Sequence, residues 1–297
     1  MMFGVQRGYA GLIENDVIPL DDRAVGGIIE RGGTMLLSAR SPEFLTPDGQ
    51  AQALSTLREN ALDALIVIGG NGSLSGARWL HGQGVSVVGI PASIDNDIPG
   101  TEMAIGVDTA LNTVVEGLNR IRDTAVAHER AFVIEVMGRA SGYIALMAGL
   151  AGGAEIVLLP EIPRSLEDIA GEVVEGVRKG KRHSIIVVAE GFQPTDVNLN
   201  GLSPGRAIAN HLQRVGTLET RLTILGHVQR GGSPTAFDRI LGSRYGHAAA
   251  TWISEGRGGI TATLSNGAII PTAFDVLGQP CRNVERELYR LVQIVAH

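Results

Sequence analysis

Short apolar runs that each end in a glycine-rich or polar cluster restrict the fold of this chain more than any other feature. The clusters are "GGNGS" (69–73), "SIDND" (93–97), "MGR" (137–139), "EGF" (190–192) and "GHVQRGG" (226–232). The segments between them have helical spacing: Val107, Leu111 and Val114 recur every three or four positions, and Ser165 can cap a second helix. The sequence therefore predicts an α/β protein with a largely parallel sheet buried on both faces.

The five clusters have a common position relative to the predicted strands. In parallel sheets a ligand lies outside the carboxyl ends of the strands, and each cluster follows its strand. We therefore expect the clusters to line one cleft. They contain glycine backbones, two aspartates, arginines and a histidine. This mixture points to an anionic ligand.

Composition excludes several other classes of protein. The net charge of -6 over 297 residues argues against a nucleic-acid surface, which needs a broad basic face. No apolar run approaches the roughly 20 residues of a membrane span, and the start of the chain has no signal-peptide layout. The single cysteine, Cys281, cannot form an intramolecular disulfide. We expect a cytoplasmic protein without a nucleic-acid or membrane partner.

Two of the clusters have a structural as well as a functional interpretation. Gly69, Gly70 and Gly72 could bring backbone N–H groups close to a phosphate, or could form a plain tight turn. Asp95 and Asp97 could serve as a base for a hydroxyl and as a ligand of Mg²⁺, or could form an Asx turn or helix cap. The residues alone leave both alternatives open.

Arginines at or beside predicted strand ends favour a functional interpretation. Each could separately form an exposed salt bridge. Guanidinium groups beside flexible glycine backbone and carboxylates are, however, what phosphoryl transfer needs, because charge on the moving phosphoryl group must be neutralised while a hydroxyl loses its proton. The residues are Arg40, Arg130, Arg139, Arg221 and Arg230, together with His227.

Six motifs in order along nearly the whole chain resemble those of one family. They are "RGGTMLLSAR", "IGGNGS", "PASIDNDIPGTE", "HERAFVIEVMGRASG", "AEG" and "ETRLTILGHVQRGGSPTAFDR". Their order and spacing are similar to the 6-phosphofructokinases of the bacterial, nucleotide-dependent type. The resemblance implies two α/β domains with largely parallel sheets, with the active site in the cleft between them, in a homotetramer. The larger, donor-binding domain would comprise 1–106 plus 229–278, and the smaller, sugar-phosphate-binding domain 107–228 plus 279–297.

The resemblance also implies chemical roles. Asp95 would take the proton from the 1-hydroxyl of fructose 6-phosphate, beside Ser93, where the family usually has threonine. Asp97 and Asn71 would hold Mg²⁺, and Arg139 would stabilise the transferring phosphoryl group. The phosphates of the donor, ATP, would meet Arg40, Ser41, Gly70, Asn71, Gly72 and Ser73. The sugar phosphate would meet Ser93, Ile94, Asp95, Met137, Gly138, Arg139, Glu190, His227, Val228, Gln229 and Arg230, with Arg130 and Arg221 from a neighbouring subunit.

A second, regulatory pocket is implied in the same way. The family's effector site, which in bacterial members binds ADP or phosphoenolpyruvate, is matched here by five residues. A solvated basic helix end at "RKGKRH" (178–183) is an alternative explanation for part of this set. The five residues are Arg122, Glu155, Lys179, Lys181 and His183.

Three departures from the family pattern bear on activity. Asn71 stands where the family normally has a metal-holding aspartate, and an amide is a weaker ligand for a hard dication. Ala92 stands where nucleotide-using members tend to have glycine and pyrophosphate-using members lysine. Because alanine adds no cation and Gly72 leaves room beside the loop, we expect ATP as donor, with ADP or pyrophosphate as the alternatives.

The third departure is the start of the chain. The family opens with a strand and a first glycine loop, and "MMFGVQRGYAGL" aligns after that unit. A start upstream of Met1 is the interpretation we favour, because the rest of the active-site pattern is nearly intact. The alternative is a truncated, non-catalytic sugar-phosphate-binding or regulatory subunit. A dinucleotide oxidoreductase is not expected, because no G-x-G-x-x-G turn opens the chain.

If Arg130 and Arg221 act across a subunit boundary, a monomer should bind sugar phosphate poorly. We expect specific activity to fall as the protein is diluted through the concentration at which its oligomer dissociates. Activity and sedimentation measured on the same samples would check this. A specific activity that stays constant down to a proven monomer would contradict it.

Overall fold

The computed structural model describes residues 1–280, 284 and 286–295, which form two compact α/β units. The first unit contains 1–91, 232–263 and 267–275, and the second contains 92–231, 264–266 and the described residues from 276 onward. Each unit has its own four-stranded sheet. The predicted fold class, two α/β domains with largely parallel sheets, is confirmed.

The helices and strands of the first unit alternate along the chain. A two-stranded antiparallel pair, β1 and β2, precedes a sheet of order β10-β9-β4-β3, in which β3, β4 and β9 are parallel. The elements are β1 (Phe3–Val5), α1 (Tyr9–Glu14), β2 (Val17–Pro19), α2 (Pro47–Glu59), β3 (Ala64–Gly69), α3 (Asn71–Gly82), β4 (Ser86–Pro91), α8 (Ala236–Ser254), β9 (Ile260–Ser265) and β10 (Ala268–Ala273).

The second unit contains an all-parallel sheet of order β6-β7-β5-β8. Four of its helices lie between 107 and 215, and a fifth follows residue 284. Its elements are α4 (Val107–His128), β5 (Ala131–Val136), α5 (Tyr143–Ala151), β6 (Ile156–Leu158), α6 (Leu166–Arg178), β7 (Ser184–Ala189), α7 (Pro204–Val215), β8 (Thr220–Ile224) and α9 (Arg286–Val295).

The sheet of the second unit is buried on both faces, as predicted. Along β5, Phe132 and Ile134 belong to one apolar cluster and Val133 to another, because successive side chains of a strand point to opposite faces. Residues of α4 and α5 cover the first face, and residues of α6 and α7 cover the second. This double burial explains why β5 and β7 consist of nearly continuous apolar residues.

Two helix predictions have different outcomes. Ser165 caps α6 as expected: its side chain accepts a hydrogen bond from the backbone N–H of Asp168, and the Asp168 carboxylate accepts one from the N–H of Ser165. The helical spacing of Leu288, Leu291, Val292 and Val295 predicts core packing for these four residues of α9. Val292 is buried, but Leu291 and Val295 are exposed, so that prediction was only partly right.

The limits of the compact units differ from those of the predicted domains. The first crossing between units follows Pro91 rather than residue 106. The segment after β4 belongs to the second unit, and within it Ala92 pairs with Ile105 and the N–H of Ser93 donates to the Ile105 carbonyl. The motif that contains Asp95 is therefore part of the second unit. The donor and sugar-phosphate roles of the two domains stay predictions.

Ile134 lies fully buried in the middle of β5, so its truncation should destabilise the protein. We expect Ile134→Ala to lower the free energy of unfolding by about 2–5 kcal/mol, because it removes buried methyl groups and leaves a cavity. Val126→Ala, at a position on α4 that is 53% exposed, is the matched control and should change it by less than about 0.5 kcal/mol. Urea titration followed by circular dichroism measures both. Equal midpoints for the two variants would contradict this account of the core.

Candidate active site

Asp95 lies in the loop that follows β4 and is almost completely buried, at 5% exposure. The neighbouring Asn96 fixes this loop: its side chain donates to the carbonyl of Glu102 and accepts from the N–H of Ala104. The Ser93 hydroxyl accepts a hydrogen bond from the N–H of Asp95. Both Ser93 and Asn96 thus hold the backbone that presents the carboxylate.

Asp95 faces the guanidinium of Arg139. Arg139 Nε is 3.6 Å from Asp95 Oδ2, and Arg139 itself is largely exposed. Asp95 Oδ1 is buried and has no hydrogen-bond partner in the part of the chain that the structure describes. A buried polar atom without a partner is costly, so this oxygen is placed to accept a proton or a hydrogen bond from a bound molecule.

The surroundings of Asp95 favour its neutral form. Burial raises the pKa of this carboxyl, and the charges of Asp97 and Glu190 act in the same direction. The charges of Arg139 and Arg230 oppose the increase without cancelling it. A carboxylate whose pKa is raised towards neutrality is a stronger base than an ordinary surface aspartate.

Arg139 is presented by a turn at the carboxyl end of β5. Gly138 has φ 146° and Arg139 has φ 51°, so the chain passes through conformations that side chains rarely adopt. Glu190, directly after β7, stabilises the turn: its Oε1 accepts from the N–H of Arg139 at 2.7 Å and of Gly138 at 3.3 Å. A side chain at Gly191 would meet the Arg139 carbonyl at 2.0 Å, so only glycine fits there.

The segment after β8 forms a short 3-10 helix, Gly226–Arg230, beside this turn. His227, Val228 and Arg230 are exposed on it. Gln229 points inward and is 1% exposed, with its Oε1 accepting from the N–H of Met137. The parallel register of β7, β5 and β8 explains why their three carboxyl-terminal segments meet, as the sequence predicts.

Arg130 and Arg221 lie at the opposite edge of the same sheet. They stand at the amino ends of β5 and β8, and a six-residue strand separates Arg130 from the turn of Arg139 by about 20 Å. Glu219 bridges them: its carboxylate is 2.6 Å from Arg130 Nε and also contacts Arg221. Within one chain these two arginines do not join the group around Asp95. Glu219 was not singled out from the sequence, although it immediately precedes "TR".

Three of the five predicted effector residues meet at this amino-end edge. Arg122 donates to the carbonyl of Gly153 at 2.6 Å and lies 4.0 Å from Glu155. Glu155 accepts from the N–H of Ile185 and is 3.9 Å from His183 Nε2. Lys179 instead pairs with Glu175 at the end of α6, and Lys181 follows the same helix.

The predicted donor loop belongs to the first unit. Gly70 precedes α3, and Asn71, Gly72 and Ser73 form its first turn. Among the described residues no side chain caps this helix end. The N-terminus of this helix carries a partial positive charge, which favours an anion. Arg40 is exposed, and Ser41 accepts from the N–H of Phe44.

Tyr9 positions this loop, and the sequence analysis did not identify it. Its hydroxyl donates to the Ser73 carbonyl at 2.6 Å, and its ring stacks on Phe44, which meets the edge of Trp79. Burial raises the pKa of Tyr9 well above its usual value, so the hydroxyl stays protonated and can donate. An aromatic residue between two glycine-containing pairs in "RGYAG" is the sequence feature that could have indicated a packing role for Tyr9.

Two kinds of structural feature are absent from the described residues. No helix in 1–280, 284 and 286–295 has the length and apolar character needed to cross a bilayer. Over the same residues no group of three or more His, Cys, Asp or Glu is arranged to hold a metal ion. The acidic side chains of the site are instead the pair Asp95 and Asp97, with Glu190 close enough to raise the pKa of Asp95.

A buried carboxylate that faces an arginine, beside the carboxyl end of a parallel strand, supplies the base and the cation that an α/β phosphotransferase needs. Comparisons with known proteins identify the family. The phosphofructokinase family model matches residues 1–253. The ATP-dependent 6-phosphofructokinase of Halalkalibacterium halodurans is 45% identical over 98% of this chain and 88% of its own length. That of Listeria welshimeri is 44% identical over 99% and 89%. The chain belongs to the phosphofructokinase family.

A solved structure supports the fold in detail. Phosphofructokinase from Saccharomyces cerevisiae matches with a TM-score of 0.85 and 31% identity. The match covers 99% of this chain and 43% of the yeast chain. The two-unit α/β architecture is thus that of a known phosphofructokinase.

The raised pKa of Asp95 gives a prediction about stability. The folded protein binds the Asp95 proton more tightly than the unfolded chain does, so ionised Asp95 opposes folding. This cost is fully present above the folded-state pKa and absent below the unfolded-state value, about 3.9. We expect Asp95→Asn to unfold at a higher temperature than the wild type at pH 7.5, with a smaller difference at pH 5. Thermal unfolding at both pH values measures it.

Asp63→Asn is the control, because Asp63 is an exposed carboxylate in the loop before β3. It should leave the unfolding temperature nearly unchanged at both pH values. An Asp95→Asn variant that is less stable than the wild type at pH 7.5 would show that the Arg139 contact outweighs burial.

Proposed function

We propose that this protein phosphorylates the 1-hydroxyl of fructose 6-phosphate with ATP and Mg²⁺, giving fructose 1,6-bisphosphate. The observation that carries the proposal is the buried Asp95 carboxylate, with one oxygen unpartnered and the other 3.6 Å from Arg139. A base and a cation side by side are what proton removal and phosphoryl transfer require at one point. The names of the curated relatives support the same reaction and ATP as donor.

Asp95 acts as the general base in this proposal. Its raised pKa strengthens it as a proton acceptor for the 1-hydroxyl as that oxygen attacks the terminal phosphorus of ATP. Arg139 neutralises the charge that spreads over the transferring oxygens. Because the turn that carries Arg139 is fixed by Glu190, the guanidinium is positioned before substrate arrives.

The residues fit a magnesium ion that is shared with the donor. Proteins commonly bind Mg²⁺ through one or two carboxylates and the substrate phosphates, so no all-protein cage is needed. The family resemblance implies a carboxylate from Asp97 and a neutral oxygen from Asn71, and Asp95 Oδ1, in the same unit as Asp97, is an unpartnered acceptor. The ion, when bound, neutralises phosphate charge. Asn71 makes this site weaker than one with two carboxylates.

The 3-10 helix 226–230 is the proposed site for the sugar 6-phosphate. His227 and Arg230 are exposed on it and can donate to phosphate oxygens. Glu190 is the proposed sugar contact: a carboxylate has about four acceptor positions, so it can hold two backbone amides and still accept from a sugar hydroxyl. Met137 and Gly138 would contribute mainly backbone.

The donor phosphates are assigned to the N-terminal end of α3 in the first unit. Gly70, Asn71, Gly72 and Ser73 would supply backbone N–H groups, and Arg40 and Ser41 would supply side chains. A helix N-terminus carries a partial positive charge, which suits a polyphosphate. Glycine at 72 and alanine at 92 leave this end without an added cation or anion, which supports ATP over pyrophosphate.

We also propose an oligomer, a tetramer, in which subunits share sites. The support is the separation of Arg130 and Arg221 from Arg139 along the strands of one chain. If these arginines bind the 6-phosphate, they must come from a neighbouring subunit. The meeting of Arg122, Glu155 and His183 supports the regulatory pocket, together with Lys179 and Lys181. A cytoplasmic location stays a prediction.

Replacement of Asp95 tests the proposal. We expect Asp95→Ser to lower kcat with ATP by more than about 1,000-fold, because it removes the base and part of the site's charge balance. Binding of fructose 6-phosphate, measured by titration calorimetry, should change by less than about tenfold. The wild type should use ATP in preference to ADP and pyrophosphate under the same conditions.

Asp63→Ser, in an exposed loop, is the control and should retain wild-type kcat. A strict requirement of the wild type for pyrophosphate would overturn the choice of donor. A wild type that binds fructose 6-phosphate but turns over no donor would favour the non-catalytic, regulatory alternative.

A further inference from the structure

The turn 137–139 has an unusual pattern of backbone hydrogen bonds. Each of its three consecutive N–H groups donates to a side chain: Met137 to Gln229 Oε1 at 3.3 Å, and Gly138 and Arg139 to Glu190 Oε1. The strand β5 ends at Val136, so its ladder does not hold these groups. The conformation that presents Arg139 therefore depends on side chains from the segments after β7 and β8.

Gln229 is the less accessible of the two residues that hold the turn. It is 1% exposed, whereas its neighbours Val228 and Arg230 on the same 3-10 helix are exposed. Its Nε2 donates to the carbonyl of Gly226 at 3.1 Å while its Oε1 accepts from Met137. One end of the amide thus holds its own helix and the other end holds the Arg139 turn.

This geometry distinguishes Gln229 from the residues proposed to contact substrate. Its position in "HVQR" suggests a substrate contact, yet both ends of its amide already bond to the backbone. A buried amide loses stability unless both ends are bonded, so these bonds are not available for exchange with a ligand at low cost. The two segments it joins carry His227 and Arg230 on one side and Arg139 on the other.

We infer that Gln229 is a positioning residue, which fixes the proposed phosphate-binding helix 226–230 relative to the Arg139 turn without touching substrate. The inference rests on the proposed function for the roles of those two segments. The inference concerns the distance between the helix 226–230 and the Arg139 turn. A displacement of about 1 Å between the group that binds a substrate and the group that stabilises its reaction is enough to reduce turnover on the order of 100-fold.

Two substitutions separate the hydrogen bonds of Gln229 from its shape. Gln229→Met keeps an unbranched chain of similar length and removes both bonds. Gln229→Glu keeps the shape and is a titratable copy of the amide: the protonated carboxyl has one donor and one acceptor, whereas the ionised form can only accept. Burial should raise the pKa of this introduced carboxyl into the range of an activity assay.

The expected result is a pH-dependent rescue. Relative to the wild type at each pH, Gln229→Met should lose about 10- to 100-fold in kcat at every pH and should bind fructose 6-phosphate several-fold more weakly, while its KM for ATP changes little. Gln229→Glu should lose part of this activity at pH 8.5, because the ionised carboxylate still accepts from the N–H of Met137 but cannot donate to Gly226. It should recover towards the wild type as the pH falls to 6, because protonation restores the donor to Gly226.

Gln213→Met is the matched control, since Gln213 is an exposed glutamine on α7. It should keep wild-type kcat and KM. Circular dichroism and the unfolding temperature of each variant establish that the fold is intact. If Gln229→Met does not fold, the pH profile of Gln229→Glu alone decides the question.

Two outcomes would overturn the inference: wild-type kcat and KM in Gln229→Met, or a Gln229→Glu profile that stays parallel to that of the wild type. A failure of the proposed function would give a different result from either of these outcomes. If the wild type turns over no donor, the same variants are compared by fructose 6-phosphate affinity in titration calorimetry. The pH-dependent rescue is then expected in that affinity, and its absence would again reject the positioning role.

Discussion

The parallel register of β7, β5 and β8 is the constraint on which the rest of the site depends. Because Val136 pairs with Ala189 and Glu135 with Ile224, the segments that leave these three strands emerge at one edge of the sheet. Glu190, Arg139 and the helix 226–230 are brought together by this register alone. A shift of one residue would turn each buried side chain of a strand to the opposite face, and the double burial of the sheet resists it.

The turn 137–139 presents Arg139 at this edge of the sheet. Positive φ angles at Gly138 and Arg139 carry a conformational cost of about 1–3 kcal/mol for the non-glycine residue. Hydrogen bonds from the three N–H groups to Glu190 and Gln229 offset that cost. Since the ladder of β5 has ended, the guanidinium is held by side chains from neighbouring strands and not by its own strand.

Much of this arrangement follows from the sequence. The apolar runs of β3, β4, β5, β7 and β8 lead into glycine-rich or polar clusters and are too short for helices, so the position and class of these strands were predictable. The cap of α6 by Ser165 was predictable because a capping box is local in sequence. The meeting of Glu190, Arg139 and the helix 226–230 required only the rule about carboxyl ends of parallel strands, whereas Asp95 follows a strand of the other sheet.

What could not be predicted depends on contacts that are distant in sequence. Gln229 points inward, whereas Val228 and Arg230 beside it in the same helix are exposed. This direction depends on the bond with Met137, 92 residues away. The role of Glu219 depends on the pairing of β5 with β8. The first compact unit ends at Pro91, before the predicted domain limit at residue 106, and the bond from Ser93 to Ile105 within this segment cannot be read from composition.

The electrostatic balance at Asp95 links these observations to chemistry. Burial and the charge of Asp97 hold the pKa of Asp95 above its ordinary value, whereas Arg139 and Arg230 limit the increase. The two arginines are carried by the segments that Gln229 joins, so a change in the distance between those segments also changes the field at the carboxylate. Because Coulomb interactions strengthen in a buried site, small displacements there have larger effects than on the surface. The geometry of the turn therefore modifies the strength of the base, which burial raises first.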